Sequence, residues 1–241
     1  MNALILLAIA SAPGVAIMLY IYLHDKHERE PIGLLFRAFL YGVLSALLTV
    51  IISMPINAVV TIHEKDLTEQ AIHAFIIVAM VEELSKFVFV RGVLYRNKNF
   101  NEPFDGIVYS VMVGMGFATF ENILYVMDGG LEVAILRMFT AVPAHASFAV
   151  LMGFYLGKAK FEHRKGYYAL HALGVAILFH GIYDYCWFIS FEPGIWLGAI
   201  ASLVVAIVLS RRAIHLHQLA SPFHPDVLHQ ELPLDNTEQN G

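Results

Sequence analysis

Long apolar runs alternate with short polar segments along most of the chain. A helix needs about 20 mostly apolar residues to cross about 30 Å of hydrocarbon. The pattern therefore predicts an all-α protein, a polytopic membrane bundle of seven transmembrane helices within residues 1–210. The predicted spans are Ala3–Leu23, Leu35–Val60, Ala71–Val90, Gly106–Met127, Val133–Leu156, Tyr168–Ile189 and Ile195–Ser210.

Composition agrees with this pattern. Of the 241 residues, 58% are hydrophobic and only 15% are charged, whereas globular proteins average about 25% charged residues. The net charge of −5 offers no basic surface, so nucleic acid is not an expected partner. The single cysteine, Cys186, cannot form an intramolecular disulfide.

Basic residues predict the orientation, because cytoplasmic loops carry an excess of Lys and Arg. The first, third and fifth loops and the tail share one side, and only Lys65 lies in a loop on the other. The N-terminus is therefore expected outside and the C-terminus in the cytoplasm. The basic residues on the cytoplasmic side are Lys26, Arg29, Arg91, Arg96, Lys98, Lys158, Lys160, Arg164, Lys165, Arg211 and Arg212.

The ends of the spans and the tail carry groups for which we expect no chemistry. Arg137 is close to a span end and is expected to extend towards the interface, and His73 and His171 also lie near span ends. Residues 211–241 are polar and are expected to form a flexible, solvated cytoplasmic tail. Its histidines are His215, His217, His224 and His229.

The third span carries the densest group of ionisable residues. Glu82 and Glu83 lie four and three residues before Lys86, so the lysine can face either carboxylate on one helical surface. An ion pair with Lys86 would neutralise one of the two glutamates and would leave the other without a partner. Ionisable groups at membrane depth are costly and are usually functional, so a carboxylate here is a candidate general base.

Three further helices contribute polar groups at a similar depth. His180 and Asp184 are four residues apart on the sixth span, where the carboxylate could orient the imidazole or join it on a metal. His145 lies on the fifth span, and Glu121 and Asn122 lie on the fourth. At 1.5 Å per residue, these positions and the glutamate pair form one layer from mid-membrane to the outer half. We expect a single site.

The available chemistry is limited to carboxylates and histidines. The chain has no H-E-x-x-H zinc helix and no G-x-S-x-G elbow. The site could activate water directly or through a divalent metal. A proton-coupled transporter, a seven-helix zinc hydrolase of lipid amides and an inactive scaffold remain alternatives to a peptidase.

Four motifs resemble those of the PrsW-type intramembrane proteases. They are Glu82-Glu-Leu-Ser-Lys86, Phe117-Ala-Thr-Phe-Glu-Asn122, the single His145 and His180-Gly-Ile-Tyr-Asp184. This family is distantly similar to the CAAX-prenyl-endopeptidase and bacteriocin-immunity superfamily. In that larger group an Arg usually stands one position after Lys86, and a His is common where Glu121 stands.

The resemblance implies a peptidase of the bacterial inner membrane that cuts a single-span membrane protein. In the best-known branch the substrate is an anti-sigma factor, cut on its extracytoplasmic side before a downstream protease acts. Substrate identity does not transfer with fold, so it is an expectation only.

The site residues can be given roles in such a peptidase. Glu82 or Glu83 is the expected general base, tuned by Lys86, and Asp184 is expected to orient His180. Asn122 is expected to polarise the scissile carbonyl. The expected metal set, for a zinc ion, is Glu121, His145 and His180, and Glu121 is alternatively a second acid/base group. A metal-free mechanism in which the histidines orient the water stays open.

Overall fold

Helices form nearly all of the regular structure in residues 3–225, the part of the chain that this computed structural model describes. No strand occurs in that part, so the predicted all-α class is confirmed. The elements are α1 (Ala3–His24), α2 (Ile32–Val59), α3 (Leu67–Ile72), a π-helical segment (His73–Ala79), α4 (Met80–Gly92), a 3-10 turn (Leu94–Arg96), α5 (Pro103–Phe139), α6 (Ala141–Phe161), α7 (Lys165–Phe188) and α8 (Trp196–Leu219).

Five helical stretches of the described residues are long and apolar enough to cross a membrane. One of them contains both α5 and α6. The predicted third span, Ala71–Val90, is also helical, but its buried charges exclude it from this apolar set. The five stretches are Leu4–His24, Ile32–Val59, Pro103–Phe161, Lys165–Phe188 and Trp196–Leu219.

The chain reverses direction inside α5, at Gly130. Glu121 and Arg137 are 16 residues apart, which is about 24 Å along a straight helix, yet their side chains are 2.8 Å apart. Gly130 has φ 70° and ψ −153°, a conformation open to glycine and disfavoured for other residues. The predicted turn between spans four and five therefore lies at Gly130, and the returning arm runs to Phe139.

The predicted fifth span, Val133–Leu156, is wrong as one continuous helix. The backbone breaks at Thr140, with φ −121° and ψ −76°, and α6 starts at Ala141. Pro143 falls in the first turn of α6, where a missing N–H removes no helical hydrogen bond. His145 consequently lies in the second turn of α6, just after the break.

Helix α5 is the centre of the bundle and is buried from Phe104 to Thr119. Glycines let its neighbours approach closely. A Cβ at Gly42 of α2 would lie 2.8 Å from the Cα of Gly116, and one at Gly153 of α6 would lie 2.6 Å from the Cα of Ile107. Small residues at such contacts provide the close packing that holds membrane helices together.

The ends of several helices meet at one end of the bundle. The side-chain amide of Gln218 donates to the carbonyl oxygen of His24 at 2.5 Å, which joins the ends of α8 and α1. Lys160 donates to the carbonyl oxygen of Tyr95 at 2.6 Å, which joins the end of α6 to the turn after α4. Helices whose C-terminal ends meet in this way run in the same direction.

The polar segment after the seventh predicted span starts later than expected. Helix α8 continues to Leu219, so the predicted tail boundary at 211 is wrong by about two turns. His217, predicted to be solvated, is buried and stacks on Phe154 with ring centroids 4.4 Å apart. The apolar face formed by Ala213 and Ile214 explains the extension, because it packs into the core. His229 lies outside the described residues.

Buried carboxylates gather at the same end of the bundle. Asp25 accepts the backbone N–H of Glu30 at 3.3 Å, and Glu30 accepts the hydroxyl of Tyr109 at 2.5 Å. Glu102 and Asp105 start α5, where Asp105 accepts the Glu102 backbone N–H at 2.8 Å. No ion pair joins these carboxylates to Lys or Arg among residues 3–225. The group consists of acids that repel one another if all are ionised.

This acidic cluster makes stability depend on pH. Burial, and then the nearby Glu102 carboxylate, raise the pKa of Asp25 from 3.8 to about 7. Burial also raises the pKa values of Glu30 and Glu102. Because the pKa of Asp25 is higher in the folded than in the unfolded state, protonation of Asp25 favours folding. This contribution to stability is complete below about pH 4 and is lost as pH rises through about 7.

We therefore expect the thermal midpoint of the protein to fall between about pH 4 and about pH 8. Asp25→Asn keeps the uncharged form, so it should raise the midpoint at about pH 8 and flatten the profile. The measurement is thermal unfolding in detergent across that range. The exposed Asp128→Asn is the control, and a profile equally steep in Asp25→Asn would contradict the assignment.

Candidate active site

The α4 residues Glu82, Glu83 and Lys86 are all buried, with exposed fractions of 7%, 1% and 3%. Lys86 donates to Glu83 at 2.7 Å and lies 3.5 Å from Glu82, as their spacing predicts. It also lies 3.3 Å from His145 Nδ1 and 4.0 Å from the ring centroid of Phe117. The lysine therefore links α4 to α5 and α6 and neutralises mainly Glu83.

His180 on α7 is held between carboxylates. Its Nδ1 lies 2.8 Å from Glu83 Oε1, and its Nε2 lies 3.1 Å from Asp184 Oδ2 and 3.9 Å from Glu82 Oε2. Phe148 stacks on the imidazole with ring centroids 5.1 Å apart. A ring nitrogen that faces two carboxylates needs a proton or a metal cation between them.

His145 on α6 is held in a similar way. Its Nε2 lies 2.9 Å from Glu121 Oε2, so a carboxylate orients this ring as Glu83 orients His180. The two imidazole rings are perpendicular, and their centroids are 5.1 Å apart. In each histidine one nitrogen is bound to a supporting carboxylate, which is a common arrangement of metal-binding histidines.

The structure brings together a group of residues that could hold a metal ion, and this group differs from the predicted metal set in a single residue. Glu82, His145 and His180 each offer a ligand atom within 4.8 Å of the others. The predicted set had Glu121 in place of Glu82. Glu121 instead forms an ion pair with Arg137 at 2.8 Å, so its charge is already neutralised.

A cavity of about 520 Å³ opens onto this site. Glu83 and Lys86 do not line the cavity, but they contact His180 and His145, which do. The cavity lies between α2, the π-helical segment, α4, α5, α6 and α7. Its acidic, basic and histidine lining residues among the described part of the chain are His73, Glu82, Glu121, Arg137, His145, His180 and Asp184.

Arg137 and Asn122 differ from their predicted roles. Arg137 does not extend towards the interface: it binds Glu121 and donates to Asn122 at 2.9 Å, because the reversal at Gly130 returns it to the site. Asn122 is fully buried, and its amide group donates to the carbonyl oxygen of Ala10 at 2.8 Å. Both ends of the amide have partners, so Asn122 is placed to join α1 to α5 rather than to polarise a carbonyl.

The π-helical segment before α4 also contributes to the cavity. His73 lines the cavity and stacks on Phe188 with ring centroids 4.9 Å apart, although its position near a span end predicted no role. π-Helical turns are rare and are frequent at functional sites. Glu82 lies in the first turn of α4, directly after this segment.

Comparison with known proteins agrees with the motifs. A family model described as "PrsW family intramembrane metalloprotease" matches residues 30–219. A "Protease PrsW" of Geobacillus kaustophilus is 41% identical over 194 residues, which is 80% of this chain and 84% of the relative. Those of Bacillus subtilis (36%, over 72% of this chain and 78% of the relative) and Clostridioides difficile (34%, over 85% and 86%) also match. No solved structure matches significantly.

Proposed function

Because the chain belongs to the PrsW family of intramembrane metalloproteases, we propose that it cuts a single-span membrane protein inside the bilayer, an anti-sigma factor in the first step of a signalling cascade. Peptidase activity follows from family membership. It replaces the three alternative functions considered from the sequence, which were a transporter, a lipid-amide hydrolase and an inactive scaffold. The substrate class is the extension that we propose. The observation that best supports hydrolysis inside the bilayer is a carboxylate–histidine cluster in a cavity among apolar helices.

The proposed topology is seven crossings in the bacterial inner membrane, with the N-terminus outside. The C-terminal ends of α1 and α8 meet, as do those of α6 and the segment after α4, which supports alternating crossings. The excess of basic loop residues at this end supports a cytoplasmic location for it.

The residues of the site fit a divalent metal. Two imidazoles and one carboxylate form a common ligand set of catalytic zinc. With neutral imidazoles, the four carboxylates Glu82, Glu83, Glu121 and Asp184 face only two cations, Lys86 and Arg137. Two negative charges therefore remain in a buried site, and a divalent cation balances them. Such an ion, when bound, supplies Lewis acidity that polarises a peptide carbonyl and acidifies a nearby water.

The other groups then take distinct roles. Glu83 and Glu121 orient His180 and His145 by their hydrogen bonds. The Nε2 of His180, which faces Glu82 and Asp184, would be open to the metal, whereas His145 Nδ1 lies 3.3 Å from Lys86. Asp184 lines the cavity, and its only ion-pair partner among the described residues is His180. We assign Asp184 as the group that accepts the proton of the attacking water and returns it to the leaving amine.

Metal dependence gives a direct test. Purified protein in detergent is offered a doubly tagged single-span anti-sigma factor and, separately, a ceramide. We expect 1,10-phenanthroline to lower cleavage of the protein substrate by about 100-fold or more, and zinc to restore it, while the ceramide stays intact. The non-chelating 1,7-phenanthroline is the control. Full activity of protein shown by elemental analysis to be metal-free would contradict the assignment.

A further inference from the structure

Three polar residues of α2 lie on the wall of the active-site cavity. Thr49, Ser53 and Asn57 all line the cavity that contains Glu82. They are spaced four residues apart, so they occupy one face of the helix. This part of α2 is otherwise apolar, and the motifs of the site do not include it.

These polar groups have no partner in the described part of the chain. Thr49 is more than nine-tenths buried, and its hydroxyl makes no hydrogen bond. Some helical hydroxyls bond to a preceding carbonyl oxygen, as Ser45 does to Gly42 at 2.7 Å and Ser202 does to Ala199 at 2.9 Å. The hydroxyls of Ser85, Ser110 and Thr119, like that of Thr49, are buried and make no such bond, but among these four only Thr49 lines the cavity. An unpaired hydroxyl in an apolar environment costs free energy, so a ligand that pairs with it gains affinity.

The polar face of α2 starts level with the catalytic groups. Tyr41 of α2 stacks on Phe89 of α4 with ring centroids 5.8 Å apart. Thr49, which follows Tyr41, and Glu82, which precedes Phe89, line the same cavity, so the two helices run in opposite directions. Thr49 lies eight residues after Tyr41, and Glu82 lies seven residues before Phe89. At 1.5 Å per residue both are about 11–12 Å from that contact, so Thr49 and Glu82 share one level.

The spacing of these groups matches an extended polypeptide. Four residues of helix rise about 6 Å. In an extended strand, peptide groups that point to the same side recur every second residue, or about 6.6 Å. Successive side chains of the α2 face can therefore meet alternate peptide groups of one strand.

We propose that Thr49, Ser53 and Asn57 form a hydrogen-bonding ladder that binds the backbone of an unwound, extended substrate segment. This inference rests on the proposed peptidase function. A peptide bond within a helix is shielded, so the segment must unwind before it is cut, which leaves backbone groups unpaired in an apolar environment. The ladder supplies partners for them and positions the scissile bond beside Glu82.

The test compares hydroxyl removal with hydroxyl retention. Thr49→Val/Ser53→Ala preserves shape and removes two hydroxyls, and Thr49→Ser keeps the hydroxyl. With the doubly tagged single-span anti-sigma factor, we expect the double variant to raise KM about tenfold with little change in kcat, and Thr49→Ser to stay within about twofold of wild type. Ser202→Ala is the matched control, because that hydroxyl is already bonded within α8.

A second arm tests the backbone contact itself. Synthetic single-span substrates carry an ester in place of one amide near the scissile bond, which removes an N–H donor. We expect one such ester to raise the KM of wild type and to leave that of the double variant unchanged.

Other outcomes overturn the proposal in distinguishable ways. An unchanged KM in the double variant, with wild type active, overturns the ladder alone. Loss of bound metal or of thermal stability together with kcat shows a structural role and also overturns it. Failure of wild type to cut any single-span substrate overturns the proposed function and the ladder with it.

Discussion

Glu82→Gln is expected to lower cleavage of a single-span substrate by about a thousandfold and to release the bound metal. Glu82 is the glutamate of the α4 pair that lines the cavity, and it lies within reach of both histidines. The amide keeps the shape of the side chain but removes the charge that a cation binds. A protein that has lost the metal also lacks the Lewis acid that polarises the peptide carbonyl.

The measurement pairs initial rates with elemental analysis of the same purified samples. Glu132→Gln is the matched control, since this exposed glutamate lies outside the cavity. Asp184→Asn separates metal binding from proton transfer, because this variant should lose most of the activity and keep the metal. Retention of both metal and activity in Glu82→Gln would refute the ligand assignment.

Gly42→Ala is expected to prevent stable folding, although it adds a single methyl group. A Cβ at Gly42 would overlap the carbonyl oxygen of Val113 and lie 2.8 Å from both the Gly116 Cα and the Phe117 nitrogen. All three atoms belong to the α5 backbone, so no side chain can rotate to make room. Overpacking costs about 1–3 kcal/mol even where side chains can adjust.

Gly33→Ala is the control on the same helix, because a Cβ there would meet nothing within 4 Å. The measurement is the amount of folded protein recovered in detergent and its thermal midpoint, which shifts by about 2–4 °C per kcal/mol. Gly33→Ala should match wild type. A Gly42→Ala protein with an unchanged midpoint would show that α2 and α5 do not pack as closely as the structure indicates.

Much of the fold could be predicted because the length of an apolar run, and the glycines or charged residues that end it, are local features of the sequence. The predicted spans fall largely on helices, and the pair Gly129-Gly130 marks the reversal within α5. The break at Thr140 was missed because Ala141 and Val142 continue the apolar run across it. The end of α8 was missed because charges at Arg211 and Arg212 suggested a boundary, while buried Ala213 continues the packed face.

The site could be predicted where helical spacing decides the contact. Lys86 reaches its glutamates, and His180 reaches Asp184, as intervals of three and four residues require. Contacts between helices depend on rotation and tilt, which spacing does not determine. The proposed metal set contains Glu82 and not Glu121 for such a reason. The chain reversal within α5 brings Arg137 into an ion pair with Glu121, and helical spacing does not predict that contact.

The polar face of α2 had a sequence signal that was not used. Thr49, Ser53 and Asn57 recur every fourth residue within an apolar run, which is the pattern of a helix with one polar face. Single hydroxyls are common in membrane helices and bond to their own backbone, so the pattern carries little weight alone. The pattern becomes informative once the structure shows that these residues line the cavity and that the Thr49 hydroxyl has no hydrogen-bond partner.

The acidic cluster has a consequence for activity assays. Burial raises the pKa of Asp25 to about 7, and this residue lies at the end of the bundle where α1 and α8 finish, away from the cavity. A fall in activity above neutral pH will therefore contain a contribution from partial unfolding at that end. A pH–rate profile of the wild type would assign this alkaline limb to a catalytic group in error. The same profile measured in Asp25→Asn removes the contribution of Asp25 to that limb.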